Sequence, residues 1–174
     1  MGVIFASLAA SLDGYIRSAS GDLAWLNDSM RRDEDYGFTE MMKRTGAYVM
    51  GAKTHRESAG MGSGKSDPPT FVLTHADPGE APSGVTFVSG DVREALEAAQ
   101  SATDRDVSVF GGGDVITQAI AADALDELSV AVVPVLLGGG TRLFGPLDRT
   151  ARLRLAECRS FDSGIVLLRY ERAT

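Results

Sequence analysis

The sequence has few of the residues that disulfides, metal clusters and membrane spans require. Cys158 is the only cysteine among 174 residues, so an internal disulfide and a thiolate metal cluster are both excluded, and we predict no metal site. No apolar run approaches the roughly 18 residues of a transmembrane helix, and residues 1–10 lack the basic start of a signal peptide. We therefore expect a cytoplasmic protein that does not enter a membrane.

Positive charge is also scarce. The chain has 17 Lys and Arg residues against 24 Asp and Glu residues, which gives a formal net charge of −7 at pH 7. Because no basic stripe offsets this balance, the sequence argues against general nucleic-acid binding, although a local anion site is compatible with it. The length and an apolar content of 44% are typical of one globular domain, so we expect residues 1–174 to form a single domain with a substantial core.

One stretch combines a strand, a glycine loop and a helix. Residues 107–110 form a short apolar run rich in β-formers, and apolar residues recur at helical spacing from about Asp114 onward. Between them lie three glycines, Gly111, Gly112 and Gly113. Such a loop exposes backbone N–H groups at the positive end of a helix with no Cβ in the way, so it can bind a phosphate. The alternative is a tight turn in which Asp114 is the N-cap and its side chain satisfies those N–H groups.

This stretch matches neither of the two common nucleotide-binding fingerprints. Ile116 stands where the motif G-x-G-x-x-G needs its last glycine, and no P-loop lysine follows. The Gly-Lys-Ser segment at residues 64–66 also fails as a P-loop, because residue 59 is Ala and Pro68 forbids the required helix. A second glycine triplet at residues 138–140 precedes no helical pattern, so we interpret it as a loop.

The rest of the chain alternates strands and helices. Apolar runs predict strands at residues 3–10, 47–50, 70–74, 85–88 and 128–137. Helical spacing predicts helices at residues 28–43, ended by Gly46, and from Asp91 to about residue 101. The strand at 128–137 reads as buried on both faces, with a bulge or an edge at Pro134. Residues 153–160 and 165–170 form a closing antiparallel pair. We predict an α/β fold with a mostly parallel central sheet, antiparallel C-terminal edge strands and helices on both faces.

Ligands of such sheets bind beyond the carboxyl ends of the strands. Three strand ends in this sequence carry small, hydroxyl or cationic residues, at positions 51–54, 74–75 and 111–113. We therefore expect these three segments to converge on one groove.

Four motifs along the chain resemble those of a known superfamily. They are S-L-D-G-Y-I at 11–16, V-M-G-A-K-T-H-R-E-S at 49–58, V-F-G-G-G at 109–113, and P-V-L-L-G-G-G through L-F at 134–144. Each is weak alone, but their order and spacing resemble the dihydrofolate reductase-like superfamily over nearly the whole chain. The most similar branch is the C-terminal reductase domain of the bifunctional riboflavin-biosynthesis deaminase/reductase, with its small stand-alone relatives. The zinc signature of the deaminase partner needs cysteines that this chain lacks.

The resemblance implies an NADPH site, with NADH as a possible second cofactor. It assigns the pyrophosphate to the glycine loop and the helix start, which are Gly111, Gly112, Gly113, Asp114 and Val115. The hydroxyl of Thr54 would donate to the same pyrophosphate, and the adjacent turn would be Gly51, Ala52 and Lys53. Thr74 and His75 would lie at the adenosine 2′-phosphate, and Ala9 and Ile16 would flank the nicotinamide.

The sequence departs from the superfamily pattern at the 2′-phosphate and at the proton donor. Ala52 and His75 stand where the branch usually has arginine, and histidine is neutral for much of the range near pH 7, so we expect a weakened preference for NADPH over NADH. The proton donor of the superfamily is an acidic residue. Counting back from the second motif places this residue near Asp35, whereas counting forward from Trp25 places it at Met30. The substrate-side candidates are Asp35, Trp25 and Asp13. Trp25 can equally be a core anchor, and Asp13 a plain turn residue.

Two functions fit these features. The first is a reductase that passes hydride from NADPH to a small pterin-like or ribosylaminopyrimidine-like heterocycle, or to a carbonyl. The second is a nucleotide-binding module of the same fold without turnover, which would explain the lost arginines and the uncertain acid. We also expect a homodimer, because the apolar strand at 128–137 and the C-terminal strands need covering and relatives in this branch are commonly dimers through that part of the sheet.

Overall fold

Strands and helices alternate along the chain in the computed structural model, which describes residues 2–58, 68–75 and 79–173. The strands are β1 Ile4–Ser11, β2 Tyr15–Arg17, β3 Thr45–Gly51, β4 Thr70–Leu73, β5 Val85–Val88, β6 Asp106–Gly111, β7 Glu127–Val133, β8 Thr141–Arg142, β9 Leu153–Ser160 and β10 Val166–Arg172. The helices are α1 Ala24–Ser29, α2 Phe38–Arg44, α3 Ala52–Ser58, α4 Val92–Ser101 and α5 Gly113–Ala121. The Gly-Lys-Ser segment at 64–66 lies outside the described residues.

Eight strands form one twisted sheet in the order β5-β4-β3-β6-β1-β7-β10-β9. The six strands from β5 to β7 are parallel, whereas β10 is antiparallel to both β7 and β9. The short strands β2 and β8 pair separately and antiparallel. This confirms the predicted mixed sheet, including its antiparallel C-terminal edge.

The main core lies between one face of the sheet and helices α4 and α5. Alternate residues of β1, such as Ala6 and Ala10, pack there with Leu96 of α4 and Ile116 of α5. Asp91 caps α4 as predicted, because its carboxylate accepts hydrogen bonds from the backbone N–H groups of the first turn. Helices α1 and α2 lie on the opposite face.

The continuous helix predicted at 28–43 is wrong. The chain forms two short helices, and the break between them contains Tyr36 and Gly37, both in the left-handed region with φ of 49° and 82°. Tyr36 is buried against the ring of Phe161, with centroids 4.7 Å apart. This contact with the distant β9–β10 turn overrides the local helical pattern. Gly46 does not end the second helix either, since β3 already begins at Thr45.

The strand predicted at 128–137 ends at Val133, not at residue 137. Pro134 has no N–H group to donate to a neighbouring strand, so it terminates β7 and produces neither a bulge nor an edge within it. Several residues of β7 are only half-buried, so the expectation of a strand buried on both faces is also wrong. The following segment runs as a loop, in which the carbonyl of Val135 accepts a hydrogen bond from the Leu12 N–H (2.9 Å).

Among the described helices, none combines the length and the apolar character needed to cross a bilayer. In the described ranges, no three His, Cys, Asp or Glu side chains are grouped so that they could hold a metal ion.

Candidate functional site

The carboxyl ends of three neighbouring parallel strands lie at the same edge of the sheet. In the register, Gly51 at the end of β3 pairs with Leu73 at the end of β4, and Met50 pairs with Gly111 at the end of β6. Helix α3 leaves β3 directly, and α5 begins two residues after β6. The three segments expected to converge, 51–54, 74–75 and 111–113, therefore meet at this edge.

The glycine loop leads into α5 without a side-chain cap. Gly111 has a φ of 123°, the Gly111–Gly112 peptide bond is cis, and Gly112 is the N-cap residue. The alternative interpretation of Asp114 as N-cap is wrong, because Asp114 lies inside the first turn and its carboxylate accepts a hydrogen bond from Gln118 Nε2 (3.1 Å). Among the described residues, no side chain accepts a cap hydrogen bond at this helix start, which leaves its N–H groups for another acceptor.

Two of the glycines permit close approaches that other residues would block. A Cβ on Gly113 would lie 2.8 Å from the carbonyl oxygen of Arg142 and closer still to that of Leu143, so this backbone packs directly on the segment after β8. A Cβ on Gly112 would meet only the Thr54 hydroxyl, at 3.4 Å. Gly112 is therefore the point where the open helix end of α5 faces a hydroxyl group of α3.

The β3–α3 connection and the first turn of α5 also contact each other at a second position. A Cβ on Gly51 would lie 3.2 Å from a methyl group of Val115 in the first turn of α5. Ala52, Lys53 and Thr54 form the first turn of α3, with Lys53 exposed. Uncapped N–H groups, a positive helix end and a nearby hydroxyl together form an arrangement that binds an anion such as a phosphate.

The residues predicted for the 2′-phosphate lie at the end of β4. Thr74 is buried, and its N–H donates to the carbonyl of Val88 (3.0 Å). His75 follows at the surface. The other histidine, His55 on α3, has its ring 5.9 Å from that of Phe87 in an edge-on contact. The cofactor residues predicted on β3, β4 and β6 thus share one edge, and their role in binding stays a prediction.

The two residues predicted to flank the nicotinamide lie on different faces of the sheet. Ala9 belongs to a small cluster around Tyr36 and Val133, which also contains Trp25. Ile16 packs against the main core on the opposite side. Trp25 is half-buried in the small cluster, and its buried indole Nε1 has no hydrogen-bond partner within the part of the chain that the structure describes. Trp25 therefore packs as an anchor and also holds a donor that an acceptor from outside the chain could satisfy.

Asp13 holds two loops together. Its carboxylate accepts hydrogen bonds from the Ser11 hydroxyl (2.6 Å) and from the N–H groups of Leu137 (3.1 Å) and Gly138 (2.7 Å). The bond from Ser11 is the main reason, followed by that from Gly138, that the pKa of Asp13 is lowered to about 2. The geometry fits the turn-residue interpretation, because a carboxyl that is ionised at neutral pH has no proton to donate.

Asp35 serves the start of α2. Its carboxylate accepts from the Thr39 N–H (3.0 Å) and from the Thr39 hydroxyl (3.1 Å), and the side chain is exposed. The structure therefore does not bring Asp35 into the buried cluster of Trp25 and Ala9. Met30, the other counted position, is exposed just after α1.

Sequence reasoning missed an ion pair between β2 and α3. Arg17 Nη2 lies 2.6 Å from Glu57 Oε2, and the same guanidinium donates to the carbonyl of Gly21 (2.9 Å). The carbonyl of Arg17 also packs where a Cβ of Gly140 would be, which explains a glycine at that position. This pair joins the end of β2 to the helix that carries Thr54. Forty residues separate the partners, and no local pattern links them.

Asp22 is a second carboxylate that sequence reasoning did not consider. It accepts hydrogen bonds from the hydroxyls of Ser20 and Ser18 and from the Ala24 N–H (3.0 Å). These bonds, that of Ser20 above all, lower the pKa of Asp22. The polar sequence around it signals a loop, and the carboxylate organises that loop before α1.

Comparisons with known proteins agree with this geometry. Residues 3–167 match the family model described as the RibD C-terminal domain. The uncharacterized protein YwjB of Bacillus subtilis is 27% identical over 168 residues, which cover 95% of each chain. A solved structure from Shewanella sp. PV-4, whose name assigns it to riboflavin biosynthesis, superposes with a TM-score of 0.87 at 27% identity over 99% of both chains. The fold is also that of a dihydrofolate reductase from Enterococcus faecalis complexed with NADP(H), with a TM-score of 0.70 at 20% identity over 99% and 98% of the two chains.

Proposed function

The chain belongs to the RibD C-terminal domain family of NAD(P)H-dependent reductases, and on that premise we propose that it is an NADPH-dependent reductase. The observation that carries the proposal is the uncapped start of α5 at Gly112, faced by the Thr54 hydroxyl. The acceptor of the hydride is a small heterocycle, of the pterin or ribosylaminopyrimidine type, or a carbonyl compound.

The residues at the sheet edge fit the cofactor. The N–H groups at the start of α5 and the Thr54 hydroxyl bind the pyrophosphate, because the site offers donors and a positive helix end without a Cβ in the way. Thr74 and His75 would hold the 2′-phosphate, and Ala9 would border the nicotinamide. When bound, NADPH supplies the hydride; the protein orients both reactants and excludes water.

The selectivity for NADPH over NADH is modest in this proposal. A 2′-phosphate is held best by arginine, which stays charged and bonds in a bidentate way. Ala52 and His75 occupy the positions at which relatives use arginine, so NADH remains a usable cofactor. The basic side chains of α3 are Lys53, His55 and Arg56.

A second candidate function is a nucleotide-binding module without turnover. The observation that favours it concerns the candidate acids: Asp13 has a pKa of about 2, and Asp35 is exposed and accepts a hydrogen bond from the Thr39 N–H in α2. Neither supplies a proton to a substrate held over Ala9. A reductase of this kind must take its proton from water or from the substrate's own groups.

The C-terminal edge of the sheet supports a homodimer. Strand β9 is the last strand of the sheet and pairs only with β10 among the described strands. Leu155 on β9 is 51% exposed, and Leu153 is exposed beside it. A long edge strand with apolar side chains favours association with a second copy.

The test is a direct assay of cofactor binding and oxidation. Purified protein is titrated with NADPH and then mixed with dihydropterin, aminouracil and aldehyde compounds, while the absorbance of NADPH is followed. Oxidation that needs both the protein and one of these compounds supports the reductase. Tight binding without oxidation across the panel supports the silent module, and failure to bind NADPH contradicts both. Gly112→Val is the matched control, because its side chain fills the space beside Thr54.

A further inference from the structure

A row of hydrogen-bond donors crosses the sheet face that carries Ala9. In the register, Ser129 of β7 pairs with Ser7 of β1 on one side and with Arg169 of β10 on the other. Residues that pair directly across neighbouring strands lie on the same face of a sheet, so these three side chains share one face. We call Ser7, Ser129 and Arg169 the donor row. Ala9 follows Ser7 by two residues, so it lies on the same face, roughly 6–7 Å further along the strand.

The donors of this row lack acceptors. The Nε atom of Arg169 is buried and has no hydrogen-bond partner within the described part of the chain. Ser7 and Ser129 are half-buried, and no other described residue forms a hydrogen bond with either hydroxyl. A buried donor without an acceptor is costly and rare in a folded protein. Three free donors side by side therefore indicate a position at which a molecule from outside the chain supplies the acceptor.

The second orphan donor of the chain lies on the same face. Among the described residues, only two buried side-chain nitrogen or oxygen atoms lack a partner, and they are Arg169 Nε and Trp25 Nε1. Trp25 packs in the small cluster with Ala9 and Ala131, the cross-strand pair that follows the donor row on this face. Both unsatisfied donors therefore belong to the side of the sheet on which the proposed function places the substrate.

The donor row forms the floor of a narrow cleft under α2. Gly37, Glu40 and Met41 line the cleft from the helix side, and its volume is about 40 Å³. A single water molecule needs roughly 10–15 Å³ of such space. The cleft therefore accepts one edge of a ligand and excludes a bulky group such as a sugar.

The charges around the cleft disfavour an anion. Three guanidinium groups and four carboxylates lie in the cleft or hold its arginines: Arg44, Arg159 and Arg169, and Glu40, Asp106, Glu127 and Glu157. Glu157 is shared by Arg169 at 3.6 Å and Arg159 at 3.9 Å, both longer than a charged hydrogen bond. Lys43 of α2 is exposed and does not line the cleft, and even with it the cations do not outnumber the carboxylates. A neutral group therefore fits the cleft better than a phosphate or a carboxylate.

Three donors in one row suit a carbonyl oxygen. Such an oxygen has two lone pairs and accepts from more than one donor, whereas an acceptor nitrogen in a ring has one lone pair. The charged donor of Arg169 makes the strongest of these hydrogen bonds.

We propose that the donor row binds a ring carbonyl oxygen of the substrate, and that Ser7, Ser129 and Arg169 determine specificity for it. The inference rests on the proposed function where it identifies the ligand as the substrate and places the rest of its ring over Ala9. It selects a heterocycle with a ring carbonyl over a simple aldehyde, because the only oxygen of an aldehyde is at the reacting carbon and none is left for the donor row.

The test compares 4-quinazolinone with quinazoline, which has the same two rings without the carbonyl oxygen, and with inorganic phosphate. Dissociation constants are measured by calorimetry with and without saturating NADPH, and the Arg169 Nε–H signal is followed by NMR of isotope-labelled protein. We expect 4-quinazolinone to bind at least about tenfold more tightly than quinazoline, as for a hydrogen bond from a charged group, and to shift that signal.

Variants of the row assign the effect to its residues. Arg169→Met keeps the length of the side chain but removes the donor, so it should lose most of the tenfold advantage. Ser129→Ala is a smaller change and should lose part of it. Arg152→Met is the matched control, because Arg152 is an exposed arginine just before β9 and does not line the cleft, and it should keep the full advantage.

The outcomes separate this inference from the proposed function. Circular dichroism and the dissociation constant of NADPH check that each variant is folded and binds cofactor. The inference is overturned if quinazoline binds equally well, if no probe binds, if phosphate binds best, or if both row variants keep the advantage. An Arg169 signal that stays unchanged when 4-quinazolinone binds also overturns it, since water alone then satisfies the row. If the parent does not bind NADPH, the reductase proposal fails, while the titrations without NADPH still decide whether the donor row binds a carbonyl oxygen.

Discussion

Replacing single glycines of the loop with alanine separates its structural role from its binding role. In Gly113→Ala, the new methyl group would lie 2.8 Å from the carbonyl oxygen of Arg142 and closer to that of Leu143. Both obstacles are backbone atoms, so the segment after β8 has to move. Overpacking of this kind costs about 1–3 kcal/mol, and for a chain of this size we expect the melting temperature to fall by about 2–12 °C.

Gly112→Ala should behave in the opposite way. Gly112 has a φ of −72°, which alanine adopts without strain, and its methyl group would meet only the Thr54 hydroxyl at 3.4 Å. We expect a melting temperature within about 2 °C of the parent, because surface changes without a clash cost under roughly 0.5 kcal/mol. The methyl group fills the place of the phosphate, so the dissociation constant of NADPH should rise about ten- to hundredfold, as for the loss of a charged hydrogen bond.

The assay for both variants is differential scanning calorimetry together with an NADPH titration. The reasoning is refuted if Gly112→Ala binds NADPH like the parent, since the loop would then be only a turn. It is also refuted if Gly113→Ala is as stable as the parent, since the close approach to the segment after β8 would then carry no energetic weight.

Four further predictions concern single side chains. Asp13→Asn lowers the melting temperature above about pH 4, and this effect shrinks as the pH falls toward and below 2, because a carboxyl whose pKa falls on folding, here from 3.8 to about 2, stabilises the fold only while it is ionised there; a shift that does not change with pH contradicts this. Arg17→Gln and Glu57→Gln each speed the release of NADPH about two- to fivefold in stopped-flow measurements, with no additional effect in the double variant; additive effects would show that the ion pair is not the cause. His75→Arg raises the ratio of NADPH to NADH affinity about tenfold, and an unchanged ratio removes His75 from the 2′-phosphate site. The parent scatters light as a dimer at micromolar concentration and Leu155→Glu as a monomer, so a monomeric parent contradicts the proposed dimer.

Local patterns predicted the strands and the glycine loop well. The apolar run before Gly111 and the helical spacing after it are local signals, and the structure has β6 and α5 there. The cap of α4 at Asp91 was equally local. The N-cap of α5 could not be told from sequence, because Asp114 is an ordinary cap residue and only the backbone shows that the helix already begins at Gly113.

Contacts between distant segments account for what the sequence did not reveal. The break between α1 and α2 depends on Tyr36, whose hydroxyl lies 3.1 Å from that of Ser163, 127 residues away. The ion pair of Arg17 and Glu57 joins two elements with no shared pattern. The exposure of Phe110 was equally hidden, since a phenylalanine in an apolar run indicates a buried strand.

Energy transfer from Trp25 to NADPH tests the central claim most directly. Trp25 is the only tryptophan and lies in the cluster that contains Ala9, and reduced nicotinamide absorbs light where tryptophan emits. We predict saturable quenching of the Trp25 emission with matching sensitised nicotinamide emission, lost in Gly112→Val. Unchanged Trp25 emission at saturating NADPH, or the same titration curve for Gly112→Val, would contradict the proposed cofactor site.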